Sequence, residues 1–125
     1  MQYRTTLALL LALPSIAIAQ VCKSGEIGVG ISKVLDTHST IGGYIIEGMI
    51  YSDSCERLDV SPSNDDYCSG GWTDGNTVTC DGDVVTSAVV GGKEYSGGCY
   101  EPVAGNEFCV DGAVVQWAVA ACCRV

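Results

Sequence analysis

Eight cysteines hold most of the reactive chemistry in this chain: Cys22, Cys55, Cys68, Cys80, Cys99, Cys109, Cys122 and Cys123. A thiol can act as a nucleophile, a redox centre, a metal ligand or half of a disulfide, and spacing separates these roles. No Cys-x-x-Cys pair occurs and His38 is the one histidine, so a zinc cluster is not supported. An even count leaves no cysteine over to serve as an activated thiolate. Four disulfides and no metal are the expectation. The neighbours Cys122 and Cys123 bond each other only with difficulty, so they should clamp two different segments. The sequence does not choose among the many connectivities, although a Cys22–Cys55 bond would tie together the outer ends of the first pair of apolar runs.

Other catalytic constellations are thin. His38 would have to serve any nucleophile–histidine–acid triad, yet it sits in the polar run Asp36-Thr37-His38-Ser39-Thr40, and no Gly-x-Ser-x-Gly elbow accompanies it. The pairs Asp65-Asp66, Asp81 with Asp83, and Glu101 with Glu107 have the residue types of a glycosidase acid and base. Solvated acidic loops explain them more simply. Asp74-Gly75-Asn76 and Asp81-Gly82-Asp83 hint at calcium ligands, but the twelve-residue loop pattern ending in glutamate is missing, and turn chemistry accounts for both. The chain is therefore expected to be non-catalytic and to need no cofactor. Binding residues are sought instead among aromatics in Gly-rich stretches: Trp72, and Tyr95 and Tyr100 flanking Ser96-Gly97-Gly98-Cys99. Trp117 is assigned to the core.

Residues 1–19 read as a secretory signal: Arg4, the apolar run Leu7 to Leu13, a break at Pro14-Ser15, and the Ala17-Ile18-Ala19 cleavage pattern. The run is too short to span a bilayer well, which takes roughly 20 apolar residues. Residues 20–125 then form a single cysteine-rich domain, with Gln20 at its start. Loss of Arg4 leaves five basic residues against fifteen acidic ones, a net charge of about −10. That balance argues against nucleic acid, which basic side chains neutralise, and against insertion into anionic membranes. It fits a soluble, self-repelling, monomeric extracellular protein. Asn64, Asn76 and Asn106 all lack the glycosylation sequon.

The elements that must position these residues read mainly as β. Ile27, Val29 and Ile31 alternate with Gly28, Gly30 and Ser32, and two glycines make a helix costly there. Tyr44 to Tyr51, rich in Ile and Tyr, supplies an antiparallel partner. Glu56 to Asp66 reads as a surface loop. The remainder is organised by a repeat: Asp81-Gly82-Asp83-Val84-Val85-Thr86-Ser87-Ala88-Val89 and Asp111-Gly112-Ala113-Val114-Val115-Gln116-Trp117-Ala118-Val119 share six of nine positions. Each Asp-Gly is a type I′ turn signal between two strands. Two similar hairpins in a small disulfide-stapled antiparallel domain follow. The alternative is α+β with a C-terminal helix, because Val114, Trp117, Ala118 and Ala121 also fit helical spacing. Cys80 directly precedes its turn whereas Cys109 stands one residue further back. On strand alternation the two cysteines should face opposite sides, with Cys109 sharing a face with Val114, Gln116, Ala118 and Cys122.

The short leader ending in Ala17-Ile18-Ala19, the eight cysteines and the terminal Cys122-Cys123 together resemble the small secreted cysteine-rich, effector-like proteins of filamentous fungi. The resemblance is to a class. It implies secretion, and a virulence role in which a host or extracellular protein or glycan is bound. Hydrophobins differ in carrying two Cys-Cys pairs. An antimicrobial or killer-toxin-like protein, and a small secreted hydrolase or hydrolase inhibitor, are the competing expectations.

Overall fold

A computed structural model of the chain describes residues 21–36, 43–62, 66–104, 107–111 and 115–125. The leader, Gln20, His38, Asn64, Asp65, Asn106 and Gly112 lie outside the described residues, as does the side chain of Trp117. Nine strands are described: β1 (Ile27–Asp36), β2 (Gly43–Tyr51), β3 (Arg57–Ser61), β4 (Thr77–Asp81), β5 (Val84–Val90), β6 (Lys93–Tyr95), β7 (Cys99–Tyr100), β8 (Phe108–Asp111) and β9 (Val115–Cys123). The fold is mainly β, and the C-terminal stretch is strand rather than helix.

The strands form two antiparallel sheets. The larger has six strands in the order β3-β2-β1-β9-β7, with β8 also on β9; the smaller has three, β4-β5-β6. The alternation in β1 explains its central place. Ile27 and Val29 point to one face, into a cluster with Ala121, Cys123, Val85 and Ala88. The smaller sheet covers that face. Val21, Cys22, Met49, Tyr51, Val60, Cys109, Val119 and Cys122 form a second cluster on the opposite face. The glycines between the apolar residues of β1 admit β9. A Cβ on Gly28 would stand 3.1 Å from Val119 Cγ1 and 3.3 Å from Cys22 Sγ. One on Gly30 would come within 2.8 Å of Val119 Cα. The residues that disfavour a helix here also make the sheet close-packed.

Both predicted hairpins exist, and both turns differ from the expectation. In the first, Asp81 pairs with Val84, so Gly82-Asp83 is the two-residue connection. Gly82 has φ +62° and Asp83 is not among the positive-φ residues, the sign pattern of a type II′ turn rather than type I′. In the second, Asp111 pairs with Val115, leaving three residues between them where two were expected. That register sets Cys109 opposite Trp117, not on the face of Gln116 and Ala118. A register shift between Val29 and Gly30 along β9 then moves Ala121 and Cys123 to the face opposite Val119 and Cys122. Loop length and a bulge, each worth one residue, take Cys109 off the face of Gln116 and Ala118, while Cys122 shares its cluster as expected. Cys80 and Cys109 do serve different clusters.

Three strands were not expected. β3 lies within the stretch read as a loop, and its apparent polarity is misleading because Asp59 is buried. The Asp59 carboxylate accepts hydrogen bonds from Val60 N at 2.7 Å, Asp74 N at 3.1 Å and Asn76 Nδ2 at 2.8 Å. It anchors the lead into β4, which gives the Asp74-Gly75-Asn76 stretch a structural role. β6 follows a Gly91-Gly92 turn with φ of +59° and +77°, a type I′ pattern. β7 is a two-residue strand pairing Cys99 with Cys123 and Tyr100 with Cys122.

Four disulfides close the domain: Cys22–Cys122, Cys55–Cys109, Cys68–Cys80 and Cys99–Cys123. The Cys22–Cys55 bond is not formed. Antiparallel pairing brings Cys22, ahead of β1, to the far end of β9 instead. Cys122 and Cys123 clamp two different segments, as their adjacency requires. Such a framework belongs to an oxidising, extracellular-type environment.

Candidate functional site

The return strand β9 has two short partners along one edge. β8 covers its first part as far as Ala118, and β7 covers Cys122 and Cys123. Between them the chain leaves the edge through Glu101–Ala104 and returns at Glu107, whose carbonyl accepts a hydrogen bond from Val119 N at 2.7 Å. The gap is the floor of a cleft of about 420 Å³. Val119, Ala120 and Ala121 form the floor. Tyr67, Tyr100, Glu101, Pro102, Ala104 and Glu107 line it, and the turn of the first hairpin contributes Asp83, Val84 and Val85.

The cleft is acidic, with carboxylates from three separate segments and, among the described residues, no lysine, arginine or histidine in its lining. The Tyr67 phenol responds to that field. Burial pushes its pKa up, and the charges of Asp66, Asp83 and Glu101 push it further in the same direction. Glu107 Oε2 is buried and has no hydrogen-bond partner among the described residues. The carboxylates do not converge on a point: among the described residues no three His, Cys, Asp or Glu side chains form a group that could hold a metal ion.

The walls are apolar and partly exposed. Val84 is 66 % exposed, Val103, between Pro102 and Ala104, is 77 % exposed, and Phe108, next to Glu107, is 51 % exposed. Val84 is the exposed large hydrophobic that lines the cleft; Val103 and Phe108 are chain neighbours of lining residues and do not line it themselves. An exposed valine in a concave acidic site suits a contact surface.

The three aromatic candidates are not brought together. Trp72 is buried, not displayed; its ring lies 3.3 Å from the position of a Cβ on Gly48, so the missing side chain on β2 leaves the space that the indole fills. Its Nε1 has no partner among the described residues. Tyr95 is half-buried against the cluster under the smaller sheet, with Lys93 Nζ 5.4 Å from its ring centroid. Tyr100 alone reaches the cleft. Its hydroxyl donates to the buried carboxylate of Glu26, which also accepts from Lys23 N at 2.7 Å. Lys23 Nζ and Arg124 Cζ lie 5.8 Å and 5.4 Å from the Tyr100 ring centroid. Tyr100 is thus a fixed wall tying the cleft to both ends of the described chain.

Sequence reasoning missed Tyr67, Val84 and the floor of β9. It did single out Asp83, Glu101 and Glu107, but in separate pairs and as solvated loops. Their convergence depends on the smaller sheet folding over the larger, which no local signal announces. No protein-family model matches the chain, and neither a curated protein nor a solved structure matches it.

Proposed function

We propose that the chain is a secreted, effector-like binding protein that engages a host or extracellular partner without catalysis. The observation that carries this reading is the acidic cleft at the β9 edge, with exposed Val84 in its lining. Four disulfides support it, because a stapled scaffold holds a recognition surface at little entropic cost on binding. The leader-like residues 1–19 and the resemblance to fungal secreted cysteine-rich proteins support the extracellular setting. The test is capture of a partner from extracellular host fluid by oxidised, immobilised protein. Retention of a specific protein or glycan is expected, and its loss on Val84→Asp with Phe108→Ser. Retention of nothing above a control column overturns the reading. Growth inhibition of competing microbes by the same preparation, without host capture, would replace it with the antimicrobial alternative.

A further inference from the structure

The chemistry of the cleft specifies more than the existence of a partner. We propose that it seats a lysine or arginine side chain carried on an apolar-flanked loop of a partner protein. This rests on the binding reading above and names the partner's contact chemistry.

Three independent features lead to a cation with apolar neighbours. The first is charge: Asp83, Glu101 and Glu107 come from the β4–β5 turn, the segment after β7 and the residue before β8, and among the described residues no basic side chain lines the space between them. The chain's own cations nearby, Lys23 and Arg124, stand over the Tyr100 ring, and neither lines the cleft. The second is an unmet hydrogen bond. Glu107 Oε2 is an anionic acceptor out of contact with water, without a donor among the described residues. Leaving such an atom unpaired is costly, and a turn of the half-buried Glu107 side chain into the cleft would let an incoming ammonium or guanidinium remove that cost with a charge-assisted hydrogen bond. The third is the wall. Val84, Val85, Pro102 and Ala104 line the cleft together with the carboxylates, and Val84 is exposed. Apolar stems of lysine or arginine, and apolar residues on either side, would cover this surface, as long basic side chains do elsewhere. Since the carboxylates do not gather into a metal-binding group, a bare metal ion is a poorer match than an organic cation with a body.

The experiment is an amide-resolved NMR titration of the oxidised protein with capped tripeptides Val-Lys-Val, Val-Arg-Val and Val-Gln-Val, and with spermidine. The two basic peptides should shift the amides of Val84, Glu101, Glu107 and Ala120, and bind about tenfold more tightly than the glutamine peptide. Glu107→Gln should weaken the basic peptides by about the same factor. Asp83→Asn, in an exposed turn where folding is not at stake, should weaken them less. Equal binding of Val-Gln-Val, shifts confined to another surface, or no shift at millimolar peptide overturns the proposal. Spermidine binding as tightly as Val-Lys-Val also overturns it, because the apolar flanks would then contribute nothing. Partner capture that survives Glu107→Gln but is lost on Val84→Asp with Phe108→Ser removes this inference and leaves the binding reading standing. Peptide binding at the cleft with no captured partner does the reverse.

Discussion

The β4–β5 hairpin turns on Gly82-Asp83, gains only β6 as a neighbour, and lies over one face of the larger sheet. The β8–β9 hairpin starts from the same Asp-Gly-x-Val-Val letters, but its return strand runs on to Cys123 and becomes an interior strand beside β1. The disulfides follow the same division. Cys68–Cys80 joins residues only 12 apart, while Cys122 and Cys123 reach back 100 and 24 residues. A shared local sequence therefore produces a shared local hairpin. What each hairpin contributes to the molecule is decided by the length of its return strand and the reach of its cysteines. The cleft lies where the two meet, the first supplying Asp83 and Val84 and the second the β9 floor.

The largest expected contrast is between the cross-links. Closing a loop of 100 residues restricts the unfolded chain by roughly 4–5 kcal/mol, against roughly 3 kcal/mol for a loop of 12. Cys22→Ala with Cys122→Ala should cost more in chemical denaturation than Cys68→Ala with Cys80→Ala. It also opens the buried cluster holding Val21, Met49 and Tyr51. Equal losses would mean that the first hairpin is as central to stability as the second.

Close packing of β1 on β9 gives the next contrast. Gly30→Ala drives a methyl group into the Ala118 carbonyl oxygen and within 2.8 Å of Val119 Cα, against backbone that cannot rotate away. A loss of about 3 kcal/mol is expected, at the upper end of overpacking effects. Gly43→Ala, with nothing within 4 Å of its Cβ position, is the control and should change the denaturation midpoint little.

Alkaline pH probes the two sides differently. Tyr51 is fully buried in the cluster with Cys109 and Val119, and its hydroxyl donates to Ile31 O at 3.0 Å. Burial raises its pKa well above the ordinary phenol value, with the Arg57 charge opposing it. In the unfolded chain it ionises near pH 10. The raised folded value means that Tyr51 contributes its full stability below about pH 10 and loses it as pH rises toward the folded pKa, by about 1.4 kcal/mol per pH unit. Denaturation across that range should show the decline, and Tyr51→Phe should flatten it. Tyr67→Phe, at the cleft, should flatten it less.

How much of this was legible follows from how local each signal is. β1, β2 and the paired strands of both hairpins were visible because alternation and Gly-rich turns act over a few residues. The II′ turn was misplaced by one position because Asp-Gly and Gly-Asp both occur in Asp81-Gly82-Asp83. β6 had a readable Gly-Gly turn signal that was passed over. β3 was hidden because Asp59 looks like a solvated residue until its three donors are in place, two of them 15 and 17 positions away. Trp72 is a binding candidate from its glycine neighbours, with folding back over the small core as the alternative; the alternative holds, and the glycine that matters is Gly48, on another strand. The cleft depended on three segments meeting, so its residues were visible singly and its existence was not.

The smallest effect tests whether turn chemistry or surroundings set the first hairpin. Gly82 has nothing within 4 Å of its Cβ position, so substitution there meets no steric obstacle. Its φ of +62° is the only barrier. Gly82→Ala should therefore cost about 1–2 kcal/mol, from backbone conformation alone. Because Asp83 and Val84 sit beside this turn in the cleft lining, the substitution should also shift their amide signals while leaving those of β1 and β2 in place. A loss several times larger, with changes spreading into β1, would mean that the two hairpins fold as one unit and that the division drawn between them does not hold.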